Sequence, residues 1–345
     1  MKTRKIKIGK LCIGGDAPVT VQSMTNTKTS DAKSTIPQIH KLEEAGCEII
    51  RVSVPDIESA KALKEIKENI SIPLVADIHF DYRLALEAAK YVDKLRINPG
   101  NIGKEDKIRA VVKEAKERNL PIRIGVNLGS LEKDIEAKYG LTAEAMVQSA
   151  AKHVKILEDN DFFDTVVSLK ASELHKMIEA NRIFSQRFSY PLHLGVTEAG
   201  SVYTGTINNA IGIGILLEEG IGNTIRVSLS GEPVEEVRAG WQILKALDLR
   251  QRGIKVIACP TCARTDIDVA KIAKEIEDKT FGEKKILRVA IMGCAVNGPG
   301  EAKVADIGVV GGKGGKILFF KKGKIIGNLK KEEIVERILK EIRKF

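Results

Sequence analysis

Short runs of aliphatic and β-branched residues alternate with amphipathic stretches through the first two thirds of the chain. The β-type runs are Val19–Ser23, Glu48–Val54, Leu74–Asp77, Lys94–Asn98, Ile122–Asn127, Thr165–Lys170, Leu192–Thr197 and Thr224–Ser228. Between and after them lie helical patterns, several with apolar residues at i, i+3 and i+4: Ile36–Ala45, Ser59–Glu68, Arg83–Lys90, Lys104–Arg118, Ala143–Asp159, Ala171–Arg187, Thr206–Glu219 and Val234–Leu247. Eight strands, each followed by a helix, predict an α/β fold of the (β/α)8 TIM-barrel type. The alternative is a doubly wound open sheet, which usually has fewer strands. Ahead of the first run, Lys5–Ile13 predicts a β-hairpin that turns at Gly9-Lys10 and plugs the barrel from beneath.

After a linker at Leu249–Lys255 the pattern changes. Strand Lys255–Ala258, helix Asp266–Asp278 and strand Leu287–Met292 are followed by strands Ile307–Val310, Ile317–Phe320 and Lys324–Gly327, then a helix from Lys331. This predicts a barrel domain over 1–248 and a small α/β domain over 249–345. Gly311-Gly312-Lys313-Gly314-Gly315 lacks P-loop spacing and reads as a turn between strands.

Composition adds limits. The hydrophobic fraction of 43% in 345 residues supplies an ordinary globular core. No run approaches the roughly 18 apolar residues of a membrane span, and no apolar stretch suited to a signal peptide follows Met1-Lys2-Thr3-Arg4-Lys5. The expectation is a cytoplasmic protein with no membrane partner. Residues 1–248 carry 34 Lys+Arg and 34 Asp+Glu, whereas 249–345 carry 22 and 12, so the whole excess of +10 lies in the second domain. That face is either a solvated surface or a docking surface for an acidic partner. With 4% aromatics and no basic-helix motif, no nucleic-acid partner is expected.

The second domain also holds three of the five cysteines, in Cys259-Pro260-Thr261-Cys262 and in Gly293-Cys294-Ala295-Val296-Asn297-Gly298-Pro299-Gly300-Glu301. Thiolates are the ligands of iron–sulfur clusters. No Cys follows Cys294 and no His follows His193, so a fourth soft ligand is missing. Glu301 is the candidate for the fourth place, and a carboxylate is a weak ligand for an iron–sulfide centre, leaving one iron open to exchange. A zinc site completed by water or Glu, or simply buried thiols, are the other readings. Cys47 reads as a small core residue and Cys12 stands apart.

In a barrel of this type chemistry sits at the C-terminal strand ends. Those ends carry Arg51, Asp77, His79, Arg96, Asn98, Arg123, Asn127, Lys170, Arg226 and Ser228, with Glu198 after the seventh strand. Spacings of two or four place Arg96 with Asn98, Arg123 with Asn127 and Arg226 with Ser228 on one strand face each. Four Arg and a Lys at one mouth predict a site for a multiply charged anion, phosphate or diphosphate. Asp77, Asn98, Asn127 and Glu198 would orient hydroxyls or move protons, with Glu198 the leading acid/base candidate.

These motifs resemble those of the 4-hydroxy-3-methylbut-2-enyl diphosphate synthase family of the non-mevalonate isoprenoid pathway. The resemblance is carried by Val21-Gln22-Ser23-Met24-Thr25-Asn26-Thr27, Ala76-Asp77-Ile78-His79-Phe80, Leu95-Arg96-Ile97-Asn98-Pro99-Gly100-Asn101, Ile124-Gly125-Val126-Asn127, Gly195-Val196-Thr197-Glu198-Ala199-Gly200 and both cysteine motifs. It spans essentially the whole chain, in the compact two-domain bacterial form. It implies reductive ring opening and dehydration of 2-C-methyl-D-erythritol 2,4-cyclodiphosphate, with electrons delivered singly through a [4Fe–4S] cluster from ferredoxin or flavodoxin. By similarity Cys259, Cys262, Cys294 and Glu301 hold the cluster. Arg51, His79, Arg96, Arg123, Lys170, Arg226 and Ser228 hold the diphosphate, while Asp77, Asn98, Asn127 and Glu198 shape the polar site. Arg264 and Asn297 reach in from the cluster domain. The resemblance also implies a homodimer in which one subunit's cluster domain caps the other's barrel. Rival readings are a sulfite- or nitrite-reductase-like domain, which would want a fourth Cys, and a metal-bearing protein that senses a phosphorylated metabolite.

Overall fold

A computed structural model describes residues 2–98, 102, 105–312 and 315–345. It divides into two compact units, Met1–Arg250 and Gln251–Phe345. Among the described residues no helix is long and apolar enough to cross a membrane. Pro99, Gly100, Asn101 and Lys104, and Lys313 and Gly314 of the glycine-rich turn, lie outside the described residues.

The first unit opens with a hairpin, β1 (Ile6–Ile8) and β2 (Leu11–Ile13), paired antiparallel. Its strands β3 (Thr20–Met24), β4 (Ile49–Ser53), β5 (Leu74–Asp77), β6 (Lys94–Ile97), β7 (Ile122–Asn127), β8 (Thr165–Lys170), β9 (His193–Leu194) and β10 (Thr224–Ile225) form one parallel sheet in the order β8-β7-β6-β5-β4-β3-β10-β9. A parallel bridge from Val167 to Leu192 joins the two ends of that order, so the sheet nearly closes into a barrel. Helices α1 (Ala32–Ala45), α2 (Ile57–Glu68), α3 (Tyr82–Ala88), α4 (Glu105–Glu117), α5 (Lys133–Tyr139), α6 (Ala143–Glu158), α7 (Leu174–Arg187), α8 (Val202–Glu218) and α9 (Pro233–Ala246) are spaced between and after the strands. The strands are buried on both faces, and their near-continuous aliphatic runs follow from that.

The hairpin is the plug expected beneath the barrel. Ile6, Ile8 and Ile13 pack on Ile49, Val75 and Val166, which point inward from β4, β5 and β8. These contacts also fix the parity of the strands: side chains an even number of positions away face the interior too.

Several boundaries differ from the sequence reading. The seventh and eighth strands are two residues each, shorter than Leu192–Thr197 and Thr224–Ser228. Buried Asn209 of α8 supplies the reason. Its Oδ1 accepts from Val196 N at 3.2 Å and its Nδ2 donates to the Ser228 carbonyl at 3.2 Å, so a side chain replaces ladder bonds. Helix α7 starts at Leu174 and not at Ala171, whose carbonyl instead accepts from Thr197 N. Helix α5 was not expected, because it buries none of its residues and so leaves no apolar period.

The second unit is a five-stranded sheet, β11 (Ile254–Ala258), β12 (Leu287–Met292), β13 (Ile307–Gly311), β14 (Ile317–Lys321) and β15 (Lys324–Leu329), in sequential order. The first three strands are parallel and the last two antiparallel. Helices α10 (Val269–Lys279) and α12 (Ile334–Lys344) contribute Ile272, Ile276, Ile338 and Ile342 to a core shared with Val289, Ile291, Val309 and Phe319. Alternate strand residues Ala290, Met292, Val310 and Phe320 form a second cluster with Ala302 of α11 (Gly298–Val304). The final helix, expected from Lys331, begins as a 3-10 turn at Lys331–Glu333. Helix α11 falls where the glycines and proline read as loop. Pro299 in its first turn needs no backbone donor, so the segment tolerates helix there.

If the plug stabilises the barrel, Ile8→Ala should cost about 2–5 kcal/mol in chemical denaturation. Ile326→Ala, at an exposed position, should change stability by under about 0.5 kcal/mol. Equal effects from the two would remove the plug from the core.

Candidate active site

The inward parity of the strands collects cations at the barrel's C-terminal end, and one buried carboxylate organises them. Arg96 Nη1 donates to Asp77 Oδ1 at 2.9 Å, and Arg51 Nε stands 3.6 Å from Asp77 Oδ2. Register places these groups side by side, since Ser53 faces Asp77 across β4–β5 and Asp77 faces Arg96 across β5–β6. His79, at the exposed rim, lies 3.5 Å from Asp77 Oδ1 and 3.1 Å from Arg96 Nη1. Arg51 also points Nε and Nη2 at Met24 Sδ, at 3.1 and 2.9 Å. Burial pushes the Asp77 carboxyl up, but Arg51, His79, Arg96 and Arg123 outweigh it and hold it well below the usual carboxylate range. Asp77 therefore stays ionised across the neutral range. Burial pulls Arg51 down to about 10 against the attraction of Asp77, so it remains charged.

A second carboxylate holds the eighth strand end. Glu236 of α9, 4% exposed, accepts from Arg226 Nε and Nη2 at 3.2 and 3.1 Å, from Ser23 Oγ at 3.1 Å and from Leu229 N at 3.2 Å. Arg123 and Lys170 are buried, and burial together with the neighbouring arginines drives both far below their ordinary ranges. Among the described residues neither makes an ion pair, so this end of the barrel carries more positive charge than its carboxylates offset.

Two glycines make room for these groups. A Cβ on Gly125 would lie 2.5 Å from Arg96 Nη2, and one on Gly195 would lie 2.5 Å from Lys170 Nζ and 2.4 Å from the Arg226 carbonyl. Asn98 is buried at the end of β6 and Asn127 ends β7. Ser228 lies beyond β10 and is fixed through its carbonyl. Glu198 is exposed, with φ at +48°, in the left-handed region that a residue with a Cβ seldom occupies. Among the described residues its carboxylate makes no hydrogen bond or ion pair, unlike the bonded carboxylates of Asp77 and Glu236.

In the second unit, adjacent parallel strands bring the cysteine loops together. Ala258 of β11 faces Ile291 of β12, so Cys259 and Gly293 leave the sheet side by side. Gly293 N donates to Cys259 Sγ at 3.1 Å, and Cys259 N donates to the Ile291 carbonyl at 3.2 Å. Gly293 is confined as well: a Cβ there would lie 2.8 Å from Thr265. Cys262 is exposed, and the Arg264 backbone N–H holds its thiol below the ordinary range. Arg264 is exposed, and the Asn297 carbonyl accepts from Gly300 N and Glu301 N, which starts α11 with Glu301 in its first turn. Among the described residues no three His, Cys, Asp or Glu side chains converge closely enough to hold a single metal ion. A four-iron cluster asks for a different arrangement, since each ligand takes its own iron. Three free thiols on the loops that leave two adjacent strands, one accepting a backbone N–H and one with a lowered pKa, fit that demand. Cys47, by contrast, is buried among the barrel residues and its thiol is pushed up to about 12, as suits a core residue.

Sequence reasoning missed Glu236, Ser23 and Met24, which position Arg226 and Arg51. Glu236 sits beside Glu235 in the first turn of α9, where paired acids are ordinary, so no local signal marked it. It also missed Lys94 and His193, which strand parity could have found.

The chain matches two family models, the GcpE TIM-barrel domain over residues 3–241 and the GcpE protein C-terminal domain over 255–344. A relative from Clostridium acetobutylicum, "4-hydroxy-3-methylbut-2-en-1-yl diphosphate synthase (flavodoxin)", is 58% identical over 99% of this chain and 98% of its own. A relative of the same name from Caldanaerobacter subterraneus is 59% identical over 99% of this chain and 97% of its own. Among solved structures, dihydropteroate synthase from Yersinia pestis aligns with a TM-score of 0.51 at 12% identity, over 71% of this chain and 97% of that one. Type I 3-dehydroquinate dehydratase from Clostridium difficile aligns at 0.52 and 16%, over 72% and 97%. The last two share the barrel fold alone. With both family models in chain order and relatives this similar along nearly its whole length, the chain belongs to the GcpE family.

Proposed function

We propose that this chain converts 2-C-methyl-D-erythritol 2,4-cyclodiphosphate to (E)-4-hydroxy-3-methylbut-2-enyl diphosphate, the product named for its relatives. The observation that carries the site assignment is the excess of buried cations at the strand ends, which only an anionic ligand would offset. Arg51, Arg96, Arg123, Lys170 and Arg226 hold the diphosphate. Asp77 keeps Arg51 and Arg96 aimed, Glu236 keeps Arg226 aimed, and His79 and Ser228 complete the rim. Asn98 and Asn127 orient the substrate hydroxyls. Glu198, with its carboxylate unbonded, supplies the proton that lets the C3 hydroxyl leave as water.

Cys259, Cys262, Cys294 and Glu301 would hold a [4Fe–4S] cluster, which supplies two electrons one at a time. Glu301 is the exchangeable member of that set, because a carboxylate binds such iron less firmly than a thiolate. Arg264 and Asn297 act from the same two loops, Arg264 through its backbone N–H at Cys262 and Asn297 by starting the helix that carries Glu301.

The donor is a flavodoxin, as the relatives' name has it, and the positive excess of residues 249–345 supports an acidic redox partner there. A homodimer is supported by an apolar stripe on α8, where Tyr203, Ile207, Ile211 and Ile215 recur every fourth residue and are 79%, 42%, 46% and 37% exposed.

Arg123→Gln should retain its iron and visible spectrum while binding the cyclodiphosphate roughly 10–100-fold more weakly, the worth of a charge-assisted bond. Cys294→Ala should do the reverse, losing iron and keeping substrate affinity. Loss of iron in Arg123→Gln would contradict the separation of the two sites. Turnover with flavodoxin should fall steeply between low and high salt, because steering is screened, while turnover with a small neutral mediator should fall much less. Equal salt sensitivity with both donors would return the basic face to a solvated surface. Ile207→Glu combined with Ile211→Glu should sediment as a folded monomer, and an unchanged dimer would place the interface elsewhere.

A further inference from the structure

We propose that the barrel interior holds a second anion site, beneath the mouth formed by Arg51, Arg96 and Arg226, built by Lys94, His193 and Gln22 with Nε and Nη1 of Arg123, and fitted to a small monovalent inorganic anion such as chloride. The proposal rests on the charges of the barrel interior, and Arg123, in register with Arg96, is the one residue it shares with the strand-end site. Register places its members. Gln22 faces Ile49, Val75 faces Lys94, and Arg123 faces Val166. In-register neighbours of a parallel sheet point to the same face, and Ile49, Val75 and Val166 touch the hairpin plug. Gln22, Lys94 and Arg123 therefore point into the barrel just above an apolar floor. His193 of β9 joins them. It feels the charges of Arg123, Lys170 and Lys94, and its Nδ1 lies 3.4 Å from Thr224 Oγ1.

The four side chains are between 0% and 1% exposed. Among the described residues, Lys94 Nζ, Arg123 Nε and Nη1, His193 Nε2 and both polar atoms of the Gln22 amide find no hydrogen-bond partner. Native interiors rarely leave even one such atom unmet, and here several face the same enclosed interior. Water could satisfy the hydrogen bonds, but it brings no countercharge for Lys94 and Arg123. The interior carboxylates are already engaged, Asp77 by Arg51 and Arg96 and Glu236 by Arg226. Burial and mutual repulsion push Lys94, Arg123 and His193 down, the direction an anion among them would reverse. With His193 neutral and Nδ1 accepting from Thr224, Nε2–H is free to donate. The donors converge from β3, β6, β7 and β9 around the ring, which suits a spherical ion better than a planar carboxylate. The plug closes the layer from beneath, so an ion there would be held between the floor and the strand-end site.

The test uses the full chain and compares chloride with gluconate at constant ionic strength. Chloride should raise Tm by roughly 2–4 °C and the rise should saturate. Crystals grown in bromide should show an anomalous peak beside Lys94. In Lys94→Met, which keeps the side-chain length without the charge, both signals should vanish while inorganic pyrophosphate, a probe of the strand-end site, still binds. Gln22→Leu should weaken the chloride effect in the same direction. Wild-type protein with neither an anion-specific Tm shift nor a bromide peak would overturn the proposal, whatever the variants do. So would a Lys94→Met protein that loses pyrophosphate together with chloride, since that would make the two layers one site. Pyrophosphate that fails to bind wild-type protein, with the chloride response intact, would count against the substrate reading alone.

Discussion

The Asp77 carboxylate is the interaction on which the barrel's chemistry depends. It is 4% exposed and engages Arg51 from β4 and Arg96 from β6, one on each neighbouring strand. A buried carboxylate left alone would protonate, and a buried arginine left alone would cost several kcal/mol in lost hydration. Each makes the other tolerable. Around this group the interior is nevertheless unbalanced, because Arg123, Lys94 and Lys170 bring charge that, among the described residues, no carboxylate meets at ion-pair distance. An arrangement of this kind stabilises the empty protein poorly and an anion complex well.

The scaffold concentrates this unfavourable charge by supplying compensation elsewhere. The hairpin seals the base with Ile6, Ile8 and Ile13, removing water from the side where it would compete. Glycine at 125 and 195 lets guanidinium and ammonium groups approach backbone that any side chain would block. Asn209 satisfies the backbone of the two shortest strands, so the sheet gives up ladder bonds near the site without leaving those groups unpaired.

The second unit solves a different problem, the gathering of thiols that lie far apart in sequence. Adjacent parallel strands β11 and β12 end at the same level, and their following loops deliver Cys259 and Cys294 to one neighbourhood. The sheet behind them is covered on both faces, by α10 and α12 on one and by α11 on the other. Such a support fixes the strand ends from which both cysteine loops depart.

The sequence by itself determined the barrel, the plug, the small α/β unit and most of the polar strand ends. Strand periodicity, a terminal hairpin and clustered cysteines are local signals, and β5, β7, β8 and β12 appear with the bounds their apolar runs predict. Helix α5 was invisible because an exposed helix leaves no apolar stripe, and the shortened seventh and eighth strands were invisible because Asn209 acts from a helix. Only the tertiary structure decided which carboxylate serves which arginine. Glu236 looks like any acid at a helix start, yet from α9 it holds Arg226, just beyond β10, and Ser23 of β3. Only the tertiary structure turned Lys94, Arg123 and His193, from three different strands, toward the same barrel interior. Periodicity says which face of a strand a residue occupies. It does not say which residues of distant strands share a level inside a closed sheet, because register and closure are set by packing around the whole barrel.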